Sequence, residues 1–547
     1  MTPLGDLREA VRAAAADLRG GNGAAAGAAP GLERARKPEF GDYSTNAAML
    51  LAPVLGEPPR DIAGRLGDAL AQRLGDRLDH AEVAGPGFLN LFLSDAWHRD
   101  ALAEALRAGE GFGGGGADVA ERVLIEFVSA NPTGPLTAAG GRHAAYGDAL
   151  ARTLEFAGHG VAREYYVNDH GSQVERLGES IRARARGEEP PEDGYEGDYV
   201  RELAAELPDA ADRDADDLAI AGAQRMVEQI RATLVRFGVE FDTWFSERSL
   251  HESEPSAVEA HYGELERQGH IYRAEGALWL RTSAFGDDKD RVLQRSSGEH
   301  TYFAADVAYH EDKRERGFDR LIDVWGADHH GYVARMRAAF AALGGDPSRL
   351  ELIIMQFVNV IERGARAAMS KRRGDFVTLD ELIDQIGVDA ARFFLLQRSH
   401  DTTVDLDLDL AREQSNENPV YYVQYAHARI ASIRAKAGED RVATGLRAVA
   451  SDGAGPGHLE PAERGLINKL LAFPGVVNEA AELRAPHRLA AYALSLAQEF
   501  TAFYHECLVV GAEPEELESF RLALSVVSQR TLARALDLLG VRAPEAM

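Results

Sequence analysis

Apolar residues along this chain change their period several times, and each change marks a different kind of element. Residues 123–127 form a short apolar run broken only by Glu126, the pattern of a strand buried on both faces of a parallel sheet. The run stops in a loop rich in Pro and Gly, and over 144–156 apolar positions recur at helical spacing. Strand, tight loop and helix in that order bring a strand's carboxyl end and a helix N-terminus to one crevice, where unpaired N–H groups suit phosphate. The same reading predicts a second strand over 161–167, sheet segments at 277–281 and 291–295, a helix near 302–316, a strand over 320–325 and an apolar β-rich run at 350–360. Between them, 187–198 reads as a surface excursion and 212–237 as a long inserted helix.

The flanks differ from this alternation. Upstream, 62–74 predicts a helix and 87–93 a strand, and the stretch 109–117, GEGFGGGGA, reads as a flexible linker by composition. Downstream of Leu410 strands vanish, and the amphipathic patterns over 414–437 and 486–509 predict a helical bundle. The fold class is therefore multidomain α/β, with an α+β unit at 1–115, an alternating unit at 116–408 and an all-α unit at 409–547. A length of 547 residues fits three or four domains of about 150 each.

Charge sharpens the division. The formal net charge is −28, of which residues 1–115 carry −4 and 417–547 carry −3, so the middle holds −21. Counterion release rewards basic surfaces, so a nucleic-acid partner is expected on the two ends rather than across the middle. One cysteine, Cys507, excludes an intramolecular disulfide. The first residues carry acids and no apolar leader pattern, and no stretch approaches the ~20 apolar residues of a membrane span. A cytoplasmic protein without a membrane partner is expected.

Polar groups collect where the strands end. Asn168, Asp169 and His170 follow the second strand, and GADHHGY follows the strand at 320–325. His329 and His330 are neighbours in sequence, which seldom share one ion without a third ligand, and no resident metal is predicted. The stretch 37–47, KPEFGDYSTNA, reads as a sugar-phosphate contact or a surface turn. Lys371, Arg372 and Arg373 form a compact cationic site in RGARAAMSKRRG, suited to clamping an anion. Tyr421, Tyr422, Tyr425, His427 and Arg429 share one helix, either stacking on bases or forming a core stripe. Glu126 is conspicuous, because burying an unpaired carboxylate in a strand is costly.

In order, KPEFGDYSTNAA, EFVSANPTGP, EYYVNDHGSQ, GDDKDRVLQRS, TYFAADVAYH, WGADHHGY, MSKRRGDFVTL, GVDAARFFLLQRS and NENPVYYVQYAHARI together resemble the bacterial-type arginyl-tRNA synthetases of class I. The resemblance implies a Rossmann-like catalytic domain, an N-terminal tRNA-contacting domain and a C-terminal helical anticodon-binding domain. It also implies an arginine–tRNA ligase that takes ATP with Mg²⁺, L-arginine and tRNA(Arg), acting as a monomer. Glu126 and Asp306 would take the guanidinium, with Tyr302 beside it, and Asn131 and His329 would hold the α-amino end. Pro132, Gly134, Pro135, Thr137, Gly140, Met369, Ser370 and Lys371 would surround ATP, Lys371 holding the departing pyrophosphate. Tyr421, Tyr425 and Arg429 would meet tRNA.

Two signatures depart from the family pattern. Where the family commonly has HVGH, this chain has Thr137, Ala138, Ala139 and Gly140, and Ala368 replaces the first lysine of KMSK. The Thr137 hydroxyl and the Gly140 and Gly141 amides at the helix start, with Arg142 and His143 following, are expected to stand in for the lost histidine donors. Two alternatives remain: a synthetase-like protein binding arginine or tRNA with weak or no activation, and a class I synthetase for another amino acid. Glu126 and Asp306 together disfavour the latter, since they suit a cation.

Overall fold

Five parallel strands hold the centre of the protein in a computed structural model that describes residues 3–20, 30–35, 37–252, 255–366 and 377–547. In chain order the elements that matter are β1 (Arg122–Glu126), α1 (Ala138–Ala157), β2 (Gly160–Val167), β3 (Thr243–Ser246), α2 (Tyr302–Glu315), β4 (Arg320–Gly326) and β5 (Leu350–Met355). The sheet order is β5-β4-β1-β2-β3, so the chain reverses direction across the sheet at β1. Ligands of open α/β sheets gather at the carboxyl ends of strands beside such a reversal. Val123, Leu124 and Ile125 are at most 1% exposed, which accounts for the unbroken apolar run. A Cβ on Gly147 of α1 would lie 2.1 Å from the Phe127 ring, so this glycine lets the helix close directly onto the end of β1.

The N-terminal unit is a four-stranded antiparallel sheet, Leu32–Arg34, Tyr43–Thr45, Phe88–Leu93 and Leu78–Ala84 in spatial order, covered by helices. It docks on the C-terminal bundle. The Asn468 side chain donates to Asp42 Oδ1 at 2.8 Å, and Arg99 donates to the Pro456 carbonyl at 2.7 Å. Asp42 of the KPEFGDYSTNA stretch thus faces an internal junction. Arg392, fully buried, ties three distant segments together through Asp148, the Phe237 carbonyl and the Leu539 carbonyl.

Three sequence expectations change. The linker at 109–117 is pinned rather than flexible: Gly115 and Ala117 donate to the carbonyls of Phe156 and Ala157, each at 2.9 Å. A Cβ on Gly113 would lie 2.5 Å from the Phe473 ring and one on Gly116 2.0 Å from the Asn478 side chain, so these glycines serve close packing. The run at 350–360 is two strands, β5 and Val358–Glu362, the second of which pairs in parallel with Val404–Asp407 in another sheet. The surface excursion at 187–198 folds over a small core of its own, where Tyr195 joins Leu177, Ile181, Val200, Leu203 and Leu218.

Candidate active site

A cleft of about 730 Å³ opens at the carboxyl ends of β1, β2 and β4, and the first turn of α2 forms one wall. Glu126, Asn131, Tyr302, Asp306 and His329, far apart in sequence, all line it. The chain leaving β1 turns through two non-glycine residues at positive φ, Val128 at 69° and Ser129 at 39°. A β-branched residue there is strained, and such strain concentrates at functional sites. The turn is held from several sides: Ser129 donates to Glu126 Oε1 at 2.8 Å, Asn168 donates to the Ser129 carbonyl at 3.3 Å, and Tyr165 donates to the Ala130 carbonyl at 2.9 Å.

Asp306 sits one turn into α2, behind the Thr301 N-cap whose hydroxyl accepts from the Ala304 amide. Its carboxylate accepts from the Tyr332 hydroxyl at 2.6 Å, and burial raises its pKa against that bond. Sequence reasoning missed a second acid. Glu247 follows β3 on a one-turn helix, is 4% exposed, lines the cleft, and has Oε2 buried without a hydrogen-bond partner. Burial, with Asp306 and Asp169 nearby, pushes its carboxyl up to about 8. The Tyr166 hydroxyl in the same cleft also lacks a partner. The missed signal was the carboxyl end of a strand, because β3 is only four residues long and part-buried. Tyr302 is 59% exposed at the cleft wall, Asn131 donates to Gln173 Oε1 at 2.6 Å, and the His329 ring stands edge-on to Trp325 with centroids 5.8 Å apart.

Glu126 differs from the expectation of an unpaired acid awaiting a ligand. In the sheet register Glu126 is flanked by Asp323 on β4 and Glu164 on β2, so three buried carboxylates share one rung. Their cations come from α2 and the residue after it. Lys313 donates to Glu126 Oε2 at 2.5 Å and Asp323 Oδ1 at 2.7 Å, while Arg316 grips Glu164 through two bonds at 2.6 and 2.8 Å. Burial opposes the charge on Asp323, yet Lys313 and His310 outweigh it and hold the carboxyl at about 2. Burial likewise opposes the Lys313 charge, and the surrounding carboxylates more than compensate. Both Glu126 oxygens therefore already have protein donors, while Asp306 and Glu247 present buried carboxyl groups with open acceptor positions to the cleft.

At the other end of the turn, Thr137 caps α1, its hydroxyl oxygen accepting from the Gly140 amide at 3.3 Å. Gly141 N–H is bonded to the Thr137 carbonyl and Ala138 N–H to the Val377 carbonyl. This corrects the expectation for Gly140 and Gly141, whose amides are committed. Among the described residues the first-turn amide without a partner belongs to Ala139. Gly141 has a steric role, since a Cβ there would lie 2.7 Å from Leu379 Cδ1. Leu379 N–H in turn donates to the Leu136 carbonyl at 2.7 Å, and Thr137 forms a bridge with Thr378. The start of α1 is thus stitched to the chain just after 367–376. Met369, Ser370 and Lys371 lie outside the described residues.

Arg142, which follows these glycines, has its guanidinium engaged elsewhere. It is 1% exposed, and its guanidinium donates to the carbonyls of Gln356 and Ser399 at 2.8 Å, of Thr402 at 2.8 Å and of Phe357 at 3.3 Å. These bonds explain why the apolar run at 350–360 breaks at Gln356 and Phe357. His143 lines the cleft, and burial lowers its pKa to about 4, so it presents a neutral ring. Pro132 and Gly134 are buried and Pro135 half-buried, with the Tyr199 hydroxyl donating to the Thr133 carbonyl at 2.8 Å, so that loop offers backbone more than side chains.

On the bundle, Tyr421, Tyr425 and Arg429 share a face of α3 (Pro419–Ala437). The two tyrosine rings are near-parallel at 8° with centroids 6.1 Å apart. Arg429 lies 4.7 Å from the Tyr425 ring and 5.0 Å from that of Tyr504, and both tyrosines are more than a third exposed. No helix among the described residues is long and apolar enough to cross a membrane.

Comparison with known proteins gives three family matches: an arginyl-tRNA synthetase N-terminal domain over 5–93, a class I (R) tRNA synthetase catalytic domain over 105–188 and 212–431, and a DALR anticodon binding domain over 423–547. A Campylobacter jejuni chain described as an arginyl-tRNA synthetase is 35% identical, with TM-score 0.76, covering 83% of this chain and 100% of its own. The Thermus thermophilus arginyl-tRNA synthetase is 27% identical over 99% of both chains, with TM-score 0.78. The Plasmodium falciparum arginyl-tRNA synthetase, 17% identical over the full length of both with TM-score 0.76, shares the fold.

Proposed function

This chain belongs to the arginyl-tRNA synthetase family and is an arginine–tRNA ligase, and from that premise we propose how its cleft performs the reaction. The substrate guanidinium lies between Asp306 and Glu247, with the Tyr166 hydroxyl and the exposed Tyr302 ring beside it. The observation that carries this reading is the unpartnered, buried Glu247 carboxyl facing the same cleft as Asp306. Two carboxylates around a planar fork distinguish arginine from lysine by geometry as well as charge. Asn131 and His329 hold the α-amino end, which leaves the arginine carboxylate free to attack the α-phosphorus of ATP.

Activation needs donors on the phosphates rather than a covalent nucleophile. We assign these to the Thr137 hydroxyl proton, the free Ala139 amide at the N-terminus of α1, and Lys371, which precedes in sequence the residues 377–379 bonded to that helix start. Mg²⁺ would enter with ATP as part of the substrate. The stacked Tyr421 and Tyr425 rings with Arg429 give the bundle a platform for tRNA bases, where the net charge is −3 rather than the −21 of the middle. Aminoacylation of tRNA(Arg) with arginine and ATP tests the reading. Arginine-dependent charging at a rate well above a no-arginine control is expected, and a folded chain that binds arginine without charging would contradict the assigned donors.

Thr137→Ala should lower the single-turnover rate of arginyl-adenylate formation by about 10-fold or more, because one donor acts mainly in the transition state. Loss of the N-cap adds about 0.5–2 kcal/mol of destabilisation. Arginine affinity should stay the same, and a wild-type activation rate would remove Thr137 from the donor set.

Glu247 also makes a pH prediction. Its folded pKa, near 8, lies above that of an ordinary glutamate, so its stabilising contribution to the empty protein is present at low pH and is lost as pH rises through about 8. A guanidinium favours the carboxylate, so arginine binding releases this proton below pH 8. Affinity should therefore rise from pH 6 to 8, by at most about 10-fold per unit, and level off above. Calorimetry should find this slope in the wild type and not in Glu247→Gln. Equal slopes in both would assign the proton elsewhere.

A further inference from the structure

Lys313 is a fully buried cation that the proposed reaction does not use. Its ammonium fills a small niche bounded by Glu126 Oε2 at 2.5 Å, Asp323 Oδ1 at 2.7 Å and the Tyr309 ring, whose centroid is 4.3 Å away. Converging acceptors at that spacing suit a compact ammonium, a point charge with three donors, better than a planar guanidinium fork. The niche adjoins the arginine cleft, because Glu126 and Tyr309 line that cleft as well.

Fastening α2 to the sheet does not explain Lys313. That task is shared by the two Arg316–Glu164 bonds, by His310 Nε2 at 2.9 Å from Asp323, and by the Tyr309 hydroxyl donating to Glu164 at 2.7 Å. Among these groups Lys313 is the one that reaches Glu126. If the Lys313 side chain were removed, the Glu126 and Asp323 carboxylates would border an open pocket contiguous with the substrate cleft. An ammonium-tipped side chain or water could then enter it.

We propose that Lys313 is a specificity-determining positioning residue: a resident ammonium that occupies the ammonium-shaped niche, so that the acids left open to substrate are those arranged around a guanidinium. The proposal rests on the arginine-site reading above, in which Asp306 and Glu247 receive the side chain. It implies that rejection of lysine is achieved partly by occupying in advance the place a lysine side chain would choose.

The test uses the full-length chain with tRNA(Arg) present, reading amino-acid-dependent ATP–pyrophosphate exchange with arginine and with lysine. In Lys313→Ala, which empties the niche, the arginine KM should rise at least tenfold, the ATP KM should stay within about twofold, and the preference for arginine over lysine should fall at least tenfold. The double variant Lys313→Ala/Glu126→Gln removes the orphaned carboxylate, so its melting temperature should recover relative to the single variant while the lost preference does not return. If Lys313→Ala is too unstable to assay, the double variant carries the comparison. A folded Lys313→Ala with unchanged arginine KM and unchanged preference would overturn the proposal. So would a double variant whose preference equals that of the unmodified chain, since Lys313 would then serve only to neutralise Glu126. Absence of arginine-dependent exchange in the unmodified chain would sink the arginine-site reading itself, and this proposal with it.

Discussion

Asp306→Ala is expected to weaken arginine binding by about 2–5 kcal/mol, on the order of 30-fold to several thousand-fold in Kd. The size follows from burial. Asp306 lies at the start of α2 with one hydroxyl partner, Tyr332, so its remaining acceptor capacity faces the cleft. Removing it leaves a desolvated guanidinium with Glu247 alone, and a charge-assisted pair is lost where water cannot replace it. Tyr332→Phe serves as the control: it removes the Asp306 partner without removing the charge, so a smaller loss is expected. Calorimetric titration with arginine measures both, and an Asp306→Ala Kd within error of the wild type would take Asp306 out of the site.

Arg142→Met should be the most damaging change outside the cleft. The Arg142 guanidinium serves four backbone carbonyls, those of Gln356, Phe357, Ser399 and Thr402, and burial lowers its pKa to about 10, which leaves it protonated at neutral pH. Methionine fills similar volume but leaves those carbonyls without donors, at about 1–3 kcal/mol for each group that stays buried and unsatisfied. A loss of about 3 kcal/mol or more is expected. Gln356 and Phe357 lead into Val358–Glu362, the strand before the segment that holds Lys371, so the ATP KM should rise more than the arginine KM. The lowest-temperature melting transition and the two KM values read this out. An unchanged midpoint with unchanged ATP KM would show that the four bonds are dispensable.

Periodicity located the elements well wherever a run was long and one-sided. β1, α1, β2, α2 and β4 lie within a few residues of their expected bounds, although α1 begins at Ala138, six residues earlier than its apolar pattern showed. That early turn is built from Ala and Gly, which leave no periodic mark. β3 escaped because it spans four part-buried residues, and Glu247 escaped with it. The glycines at 109–117 read as a linker because composition cannot distinguish freedom from close approach; only the partners, Phe473, Phe156 and Asn478, make that distinction. The motif resemblance brought Glu126 and Asp306 to one site, but pairing across β1, β2 and β4 is a register property, so the acid rung and its Lys313 partner were not legible. The structural role of Arg142 was hidden for the same reason: its four carbonyl partners lie more than 200 residues away along the chain.

The most direct test of the cation site is a crystal structure of the full-length chain with arginine bound. The guanidinium nitrogens should lie about 2.7–3.0 Å from carboxylate oxygens of both Asp306 and Glu247, with Lys313 still bonded to Glu126. A guanidinium seated on Glu126 with Lys313 displaced, or an arginine bound without contact to Glu247, would contradict the account.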